Sequence, residues 1–167
     1  MAKPDISEIP AFYKRYIDAI KSDELIQALT DGKNQIVDFL TSIPESKEDF
    51  RYADGKWSIK EVVNHMMDAE RVFAYRALTF SRNDSTELPG FDENGWAPQA
   101  NADGRSLSQL IAEYDNLRAS TIDLFSSFSE DMLNRSGVAS CVEMDVATLG
   151  FLIAGHEQHH YTILKDR

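Results

Sequence analysis

A chain of 167 residues, 43 % of them hydrophobic, is long enough to bury one substantial core, and a single domain over 1–167 is the expectation. Its 28 acidic against 17 basic side chains leave a formal charge of −11 with no basic stripe to offset it, which disfavours a nucleic-acid partner. No apolar run approaches the length of about 18 residues needed to cross a membrane, and a lone cysteine, Cys141, excludes a disulfide framework or a multi-cysteine metal cage.

The first ten residues carry Lys3, Asp5 and Glu8 where an export signal would be apolar, so a cytoplasmic location is expected. Ile9, Phe12, Tyr13, Tyr16, Ile17 and Ile20 then mark a short N-terminal helix within residues 1–22 that packs on the rest of the domain. After a break at Lys21-Ser22-Asp23, Leu25, Ile26, Leu29, Ile36, Val37, Leu40 and Ile43 define a longer helix ended before Pro44. A polar connector, 45–56, follows. Ser58 and Glu61 form a capping box, each side chain satisfying the other residue's free backbone N–H. The helix they open keeps Ile59, Val62, Val63, Met66, Ala69, Phe73, Ala77 and Phe80 on one stripe, to about Ser81. Trp57, just before the box, reads as a packing staple.

The stretch 83–104 is a long Gly/Pro-containing loop, either shaping a site or simply crossing over. Phe91 and Trp96 within it are candidates to wall a pocket over a bound metal, with loop anchoring the plainer alternative. Ser106 with Gln109 repeats the capping box, ahead of Leu107, Leu110, Ile111, Tyr114, Leu117, Thr121, Leu124, Phe125 and Phe128 at helical spacing. Residues 129–134 form a short extra turn, and Val142, Met144 and Val146 alternate as in a brief extended stretch. Asp145 then caps a last helix that runs to the C-terminus. Four long amphipathic helices and a short extra one give an all-α four-helix bundle, in which the 83–104 loop frees the order from simple up-down-up-down.

Of four histidines, three crowd into His156-Glu157-Gln158-His159-His160. His156 and His160 stand one turn apart inside the apolar stripe drawn by Leu149, Ile153, Ile163 and Leu164, so both imidazoles can reach one ion. His159 lies towards the edge of that stripe and is left out. Buried imidazoles without partners cost roughly 2–7 kcal/mol each on transfer scales, and a metal ion using their lone pairs supplies the missing partner. The plainer alternative is a pair of histidines hydrogen-bonded to neighbouring carboxylates. His65, on the shoulder of the helix opened by Ser58, is the remaining histidine and the candidate third ligand. The string His156-Glu157-x-x-His160 also matches a zinc-protease signature. However, only seven residues follow it, none of them His, Glu or Cys, and the strands on which such enzymes present a peptide are missing.

The run Trp57-Ser58-Ile59-Lys60-Glu61-Val62-Val63-Asn64-His65 with Asp68-Ala69-Glu70-Arg71, the Leu88-Pro89-Gly90-Phe91-Asp92-Glu93-Asn94 loop, and Ala154-Gly155-His156-Glu157-Gln158-His159-His160-Tyr161 together resemble the DinB/YfiT-like superfamily over about residues 20–165. The resemblance implies an up-down-down-up four-helix bundle whose metal ligands fall on His65, His156 and His160. It also implies chemistry such as that of metal-dependent transferases of low-molecular-weight thiols, bacillithiol among them, or of mycothiol-dependent isomerases. The family name refers to damage induction and not to DNA contact.

Three neutral imidazoles leave a divalent ion, zinc or nickel, with an open position, as catalytic sites do. That position suits either activated water for hydrolysis or a bound thiolate for S-transfer to a small-molecule electrophile. Glu157 is the candidate catalytic proton acceptor or orienting group, although a solvated carboxylate would look the same in sequence. Asp68 and Glu61, at i+3 and i−4 from His65, are candidates to hold its second ring nitrogen. Two further readings stay open: a non-catalytic metal- or small-molecule-binding stress-response protein, and an assembly module. A homodimer is expected.

Overall fold

The structure is a computed structural model that describes residues 3–4 and 9–166; Asp5 and Glu8, part of the export reading, lie outside the described residues. Helix α1 (Ala11–Asp18) follows Pro10. Helix α2 spans Leu25–Thr41 and ends two residues before the expected Ile43, where Ser42 N–H already donates back to Asp38 and Phe39 and Ile43 N–H to Leu40. The connector contains a 3₁₀ turn, Glu45–Lys47. Helix α3 (Ile59–Ser81) opens on the expected capping box, Glu61 N–H donating to Ser58 Oγ at 3.1 Å and Ser58 N–H to Glu61 Oε2 at 2.7 Å. The long loop is partly ordered by a short helix α4 (Glu93–Trp96), begun by the Asp92 carboxylate, and by 3₁₀ turns at Ala97–Gln99 and Ala102–Gly104. Helix α5 (Leu107–Ser126) carries the second capping box. A single turn, α6 (Glu130–Leu133), follows it.

One element was not expected. The extended stretch before the last helix is half of an antiparallel hairpin, β1 (Ser136–Ala139) paired with β2 (Val142–Asp145) in the register Ser136 to Asp145. Ser140 and Cys141 turn it with φ of 54° and 62°, the left-handed pair that a two-residue hairpin needs. Leu88 bridges to Ala139, tying the long loop to the hairpin. Helix α7 (Val146–Lys165) starts where the Asp145 side chain accepts from Thr148 N–H at 2.6 Å.

Side-chain pairs fix the direction of each helix. Lys33 of α2 meets Asp115 of α5 at 3.0 Å, while Leu25 lies near Phe125, so α2 and α5 run antiparallel. Lys60 reaches the Asp103 carbonyl just before α5, Arg71 meets Glu113 at 2.5 Å, and Arg82 lies over Phe128, so α3 and α5 are parallel. His65 and then Phe73 of α3 meet His160 and His156 of α7 in reverse order, so that pair is antiparallel. Leu25 by Gly150 and Phe39 by Tyr161 make α2 and α7 parallel. The order is up-down-down-up, with α2 packed on α5 and α7 but diagonal to α3. The connector 42–58 therefore crosses one end of the bundle, and the stretch 82–106 runs back along its length. Helix α1 packs on α7.

The core falls into two apolar clusters. One joins α1, the starts of α2 and α7, and the hairpin; the other joins Ile36, Leu40, Val63, Met67, Leu110 and Tyr114 at the connector end. Between them lies a polar layer.

Candidate metal centre

Each side chain of that layer is placed by the helix stripe that carries it. His65 occupies the second turn of α3; His156 and His160 occupy successive turns of α7, on the face that meets α3. All three are buried, at 8, 8 and 9 % exposure. The Nε2 atoms of His65 and His160 each lie 3.1 Å from Nε2 of His156. Ligand atoms of all three fall within 4.8 Å of one another, the group among the described residues able to share an ion.

These distances bear on what the residues can hold. Metal–nitrogen bonds of about 2.0–2.1 Å, opened to angles between a right angle and a tetrahedral one, separate two nitrogens by about 2.9–3.4 Å. The observed spacing lies inside that window. Each 3.1 Å contact is short enough for an N–H···N hydrogen bond, but Nε2 of His156 has one proton or one lone pair to serve two neighbours, whereas one ion takes the lone pairs of all three; Nδ1 of His160 is buried with no partner. Burial holds His65 down to about 4 despite the opposing charge of Glu93, and burial with the neighbouring imidazoles holds His160 at about 3. His156 is pushed well below the ordinary range by the same causes. All three are therefore neutral at pH 7, with lone pairs available. The residues fit one divalent ion.

The expected partners of His65 are engaged elsewhere. Asp68 accepts from Asn64 Nδ2 at 2.8 Å and lies 3.6 Å from Arg71, while Glu61 caps Ser58 and pairs with Arg51. Besides the two other imidazoles, Trp57 touches His65, tilted against it at 4.8 Å, so Trp57 is part of the site and not only a helix staple. Tyr16 of α1 meets His156 and His159 edge-on, and His159 is not among the residues whose ligand atoms converge.

Glu157 turns the other way. Its carboxylate accepts from the Tyr114 hydroxyl and lies 2.6 Å from Arg118 Nη1. Arg118 Nε and Nη2 donate to the two oxygens of Glu70 at 2.9 Å each, and Nη1 donates to the Leu29 carbonyl at 3.2 Å. Glu70, Arg118 and Glu157 are 2, 1 and 3 % exposed. Burial raises Glu157 above the usual carboxylate range against the pull of Arg118; burial lowers Arg118, but Glu157, Tyr114 and Glu70 outweigh it and hold the guanidinium charged. This four-helix network was missed in the sequence. Its signal was there, because Arg118 follows Leu110 and Tyr114 on the buried face of α5.

A cavity of about 320 Å³ opens onto His160. Phe50, Tyr52, Gly55, Lys56 and Trp57 of the connector form one side, Ile59 and Val62 of α3 and Ile163 and Leu164 of α7 the others, with Asn94 of the long loop at its edge. Phe91 and Trp96 do not wall it. Their rings, 5.0 Å apart, line a separate cavity of about 370 Å³ with Val72, Tyr75 and Arg76.

The molecule is thus a helical bundle with three convergent buried imidazoles, one of which, His160, lines an open cavity. A profile of the DinB superfamily matches residues 28–164, and the chain belongs to that superfamily. It is 23 % identical over 143 residues to a protein of Oceanobacillus iheyensis named "Putative metal-dependent hydrolase OB0413", covering 85 % of this chain and 82 % of that one. It is 25 % identical over 147 residues to one from Geobacillus kaustophilus of the same description, covering 86 and 82 %. The solved structure of YfiT from Bacillus subtilis, described as "a probable metal-dependent hydrolase with an unusual four-helix bundle topology", matches in fold with a TM-score of 0.71 at 18 % identity, over 98 % of this chain and 90 % of that one. No helix among the described residues is long and apolar enough to cross a membrane.

Proposed function

We propose that this chain is a metal-dependent hydrolase of a small molecule, with His65, His156 and His160 holding one divalent ion, zinc or nickel. The observation that carries the reading is the 3.1 Å convergence of buried Nε2 atoms in a cluster of which His160 lines an open cavity. The names of the relatives from Oceanobacillus and Geobacillus support it. Bound there, such an ion supplies Lewis-acid activation of a water or a thiol.

The chain's own residues do the rest. Desolvation keeps the imidazoles unprotonated at neutral pH, so no proton competes for the ligand nitrogens. Trp57, against His65, shields one flank from bulk water. Arg118 clamps Glu70 of α3 and Glu157 of α7, holding together the two helices that carry the ligands. Glu157, committed to Tyr114 and Arg118, serves in this reading as an orienting group. Transfer of a low-molecular-weight thiol is the second reading, favoured by a cavity larger than a single water requires. A metal-binding stress-response role without catalysis is disfavoured by the same opening.

Elemental analysis and a panel of small esters and amides test the reading. Wild-type protein is expected to carry one divalent ion per chain and to hydrolyse a member of the panel. His65→Ala, His156→Ala and His160→Ala are each expected to lose both ion and activity. Wild-type protein that binds no ion after incubation with zinc or nickel overturns the proposal.

A further inference from the structure

The connector that forms one side of the cavity is built so as to leave aromatic surface in solvent. Arg51 pins it: its guanidinium donates to the Lys56 carbonyl at 2.8 Å, pairs with Glu61 and reaches Asp103 at 3.5 Å. The flanking residues, Phe50 and Tyr52, line the cavity and stay 47 and 41 % exposed. Large apolar side chains grouped around a concavity, and not buried by the fold itself, mark a surface that gains by covering them. Trp57 continues the wall to His65, and Ile59, Val62, Ile163 and Leu164 complete it.

The charge of this wall differs from that of the whole chain. Against a formal −11, no Asp or Glu lines the cavity among the described residues, while Lys56 does. The carboxylate acting on the cluster is Glu93, beside Asn94 at the cavity's edge; along the lining itself a cation finds no counter-charge, and a neutral or anionic compound meets no repelling carboxylate. The volume of about 320 Å³ lies at the lower end of the range of about 300–1,000 Å³ for small-molecule pockets, room for an apolar group the size of an aromatic ring.

We propose that the substrate is a neutral or anionic small molecule built on a flat apolar group the size of one aromatic ring, seated beside Tyr52, Trp57, Ile59 and Ile163 with its reacting group towards His160. The proposal rests on the metal reading for the identity of the reacting end only; the ring site is a property of the connector and the helix ends.

Trp57 reports on the site once the other tryptophan, Trp96, which does not line the cavity, is removed as Trp96→Phe. In that background, fluorescence titrations use phenylacetate, acetate and phenethylamine, each with zinc-loaded and with chelator-treated protein. Phenylacetate is expected to bind saturably and about tenfold or more tighter than acetate, with phenethylamine weaker than phenylacetate. The ring preference is expected to persist after chelation. Tyr52→Ala is expected to weaken phenylacetate, and Lys56→Glu to move the preference towards phenethylamine; both positions are exposed, so the fold tolerates them. Phenylacetate no tighter than acetate, or no response to either substitution, overturns the inference. Zinc bound without ring preference removes this inference alone; ring preference in a protein that binds no metal supports the ring site and removes the hydrolase reading alone.

Discussion

Replacing Arg118 with Met tests how the polar layer is held. The methionine keeps most of the side-chain volume but removes two hydrogen bonds to Glu70, one to the Leu29 carbonyl and the ion contact with Glu157. Two carboxylates at 2 and 3 % exposure then lack a counter-charge. Breaking a buried pair in this way costs about 3–5 kcal/mol, because the remaining charge stays desolvated. Against a typical total of about 5–15 kcal/mol this is a large share, and for a chain of this size it lowers Tm by about 6–20 °C. Urea unfolding of chelator-treated protein, followed by far-UV circular dichroism, measures it. The triple variant Glu70→Gln, Arg118→Met, Glu157→Gln is expected to recover more than half of the loss, since no charge of this network remains. A loss below about 1 kcal/mol with an unchanged m-value, or a triple variant as unstable as the single one, refutes the reasoning.

Two further outcomes follow from the same layer. Metal-free protein is expected to lose stability as pH falls from about 6.5 towards 4, because His65, at about 4, and His160, at about 3, take up protons in the unfolded chain before the folded one. For His65 alone the full effect is about 3 kcal/mol, absent above pH 7 and largely lost in His65→Gln; a wild-type acid profile parallel to that variant's would contradict it. Gly155→Ala places a methyl group 2.3 Å from the Tyr16 carbonyl oxygen, a backbone atom that cannot swing aside. Despite the helix-propensity gain of about 1 kcal/mol, a net loss of about 1–3 kcal/mol and faster proteolysis within α1 are expected.

The four long helices were legible because burial repeats at i, i+3 and i+4, and both capping boxes formed as written. The pair His156 and His160 was legible for the same reason, as polar residues inside an apolar stripe. His65 needed the resemblance as well, since one shoulder histidine has no local signature. The hairpin was half-read: its turn is Ser140-Cys141, without the Gly, Asn or Asp that usually announces two left-handed residues, and β1 carries only Val138 and Ala139 as apolar residues. The buried Arg118 obeyed the rule that revealed the histidines but was not singled out, since a lone arginine on a helix usually faces solvent. Phe50 and Tyr52 sit in a polar connector with no period, so only their positions in space connect them to His160.

Because α2 and α3 stand at opposite corners, their connector must pass over the end of the bundle where the histidines lie. The wall of the cavity is therefore drawn from two sources, the connector that arrives over the bundle end and the helices α3 and α7 that carry the imidazoles. The connector ends at Trp57, which packs on His65, so its length and its last residue bear directly on the position of a ligand ring.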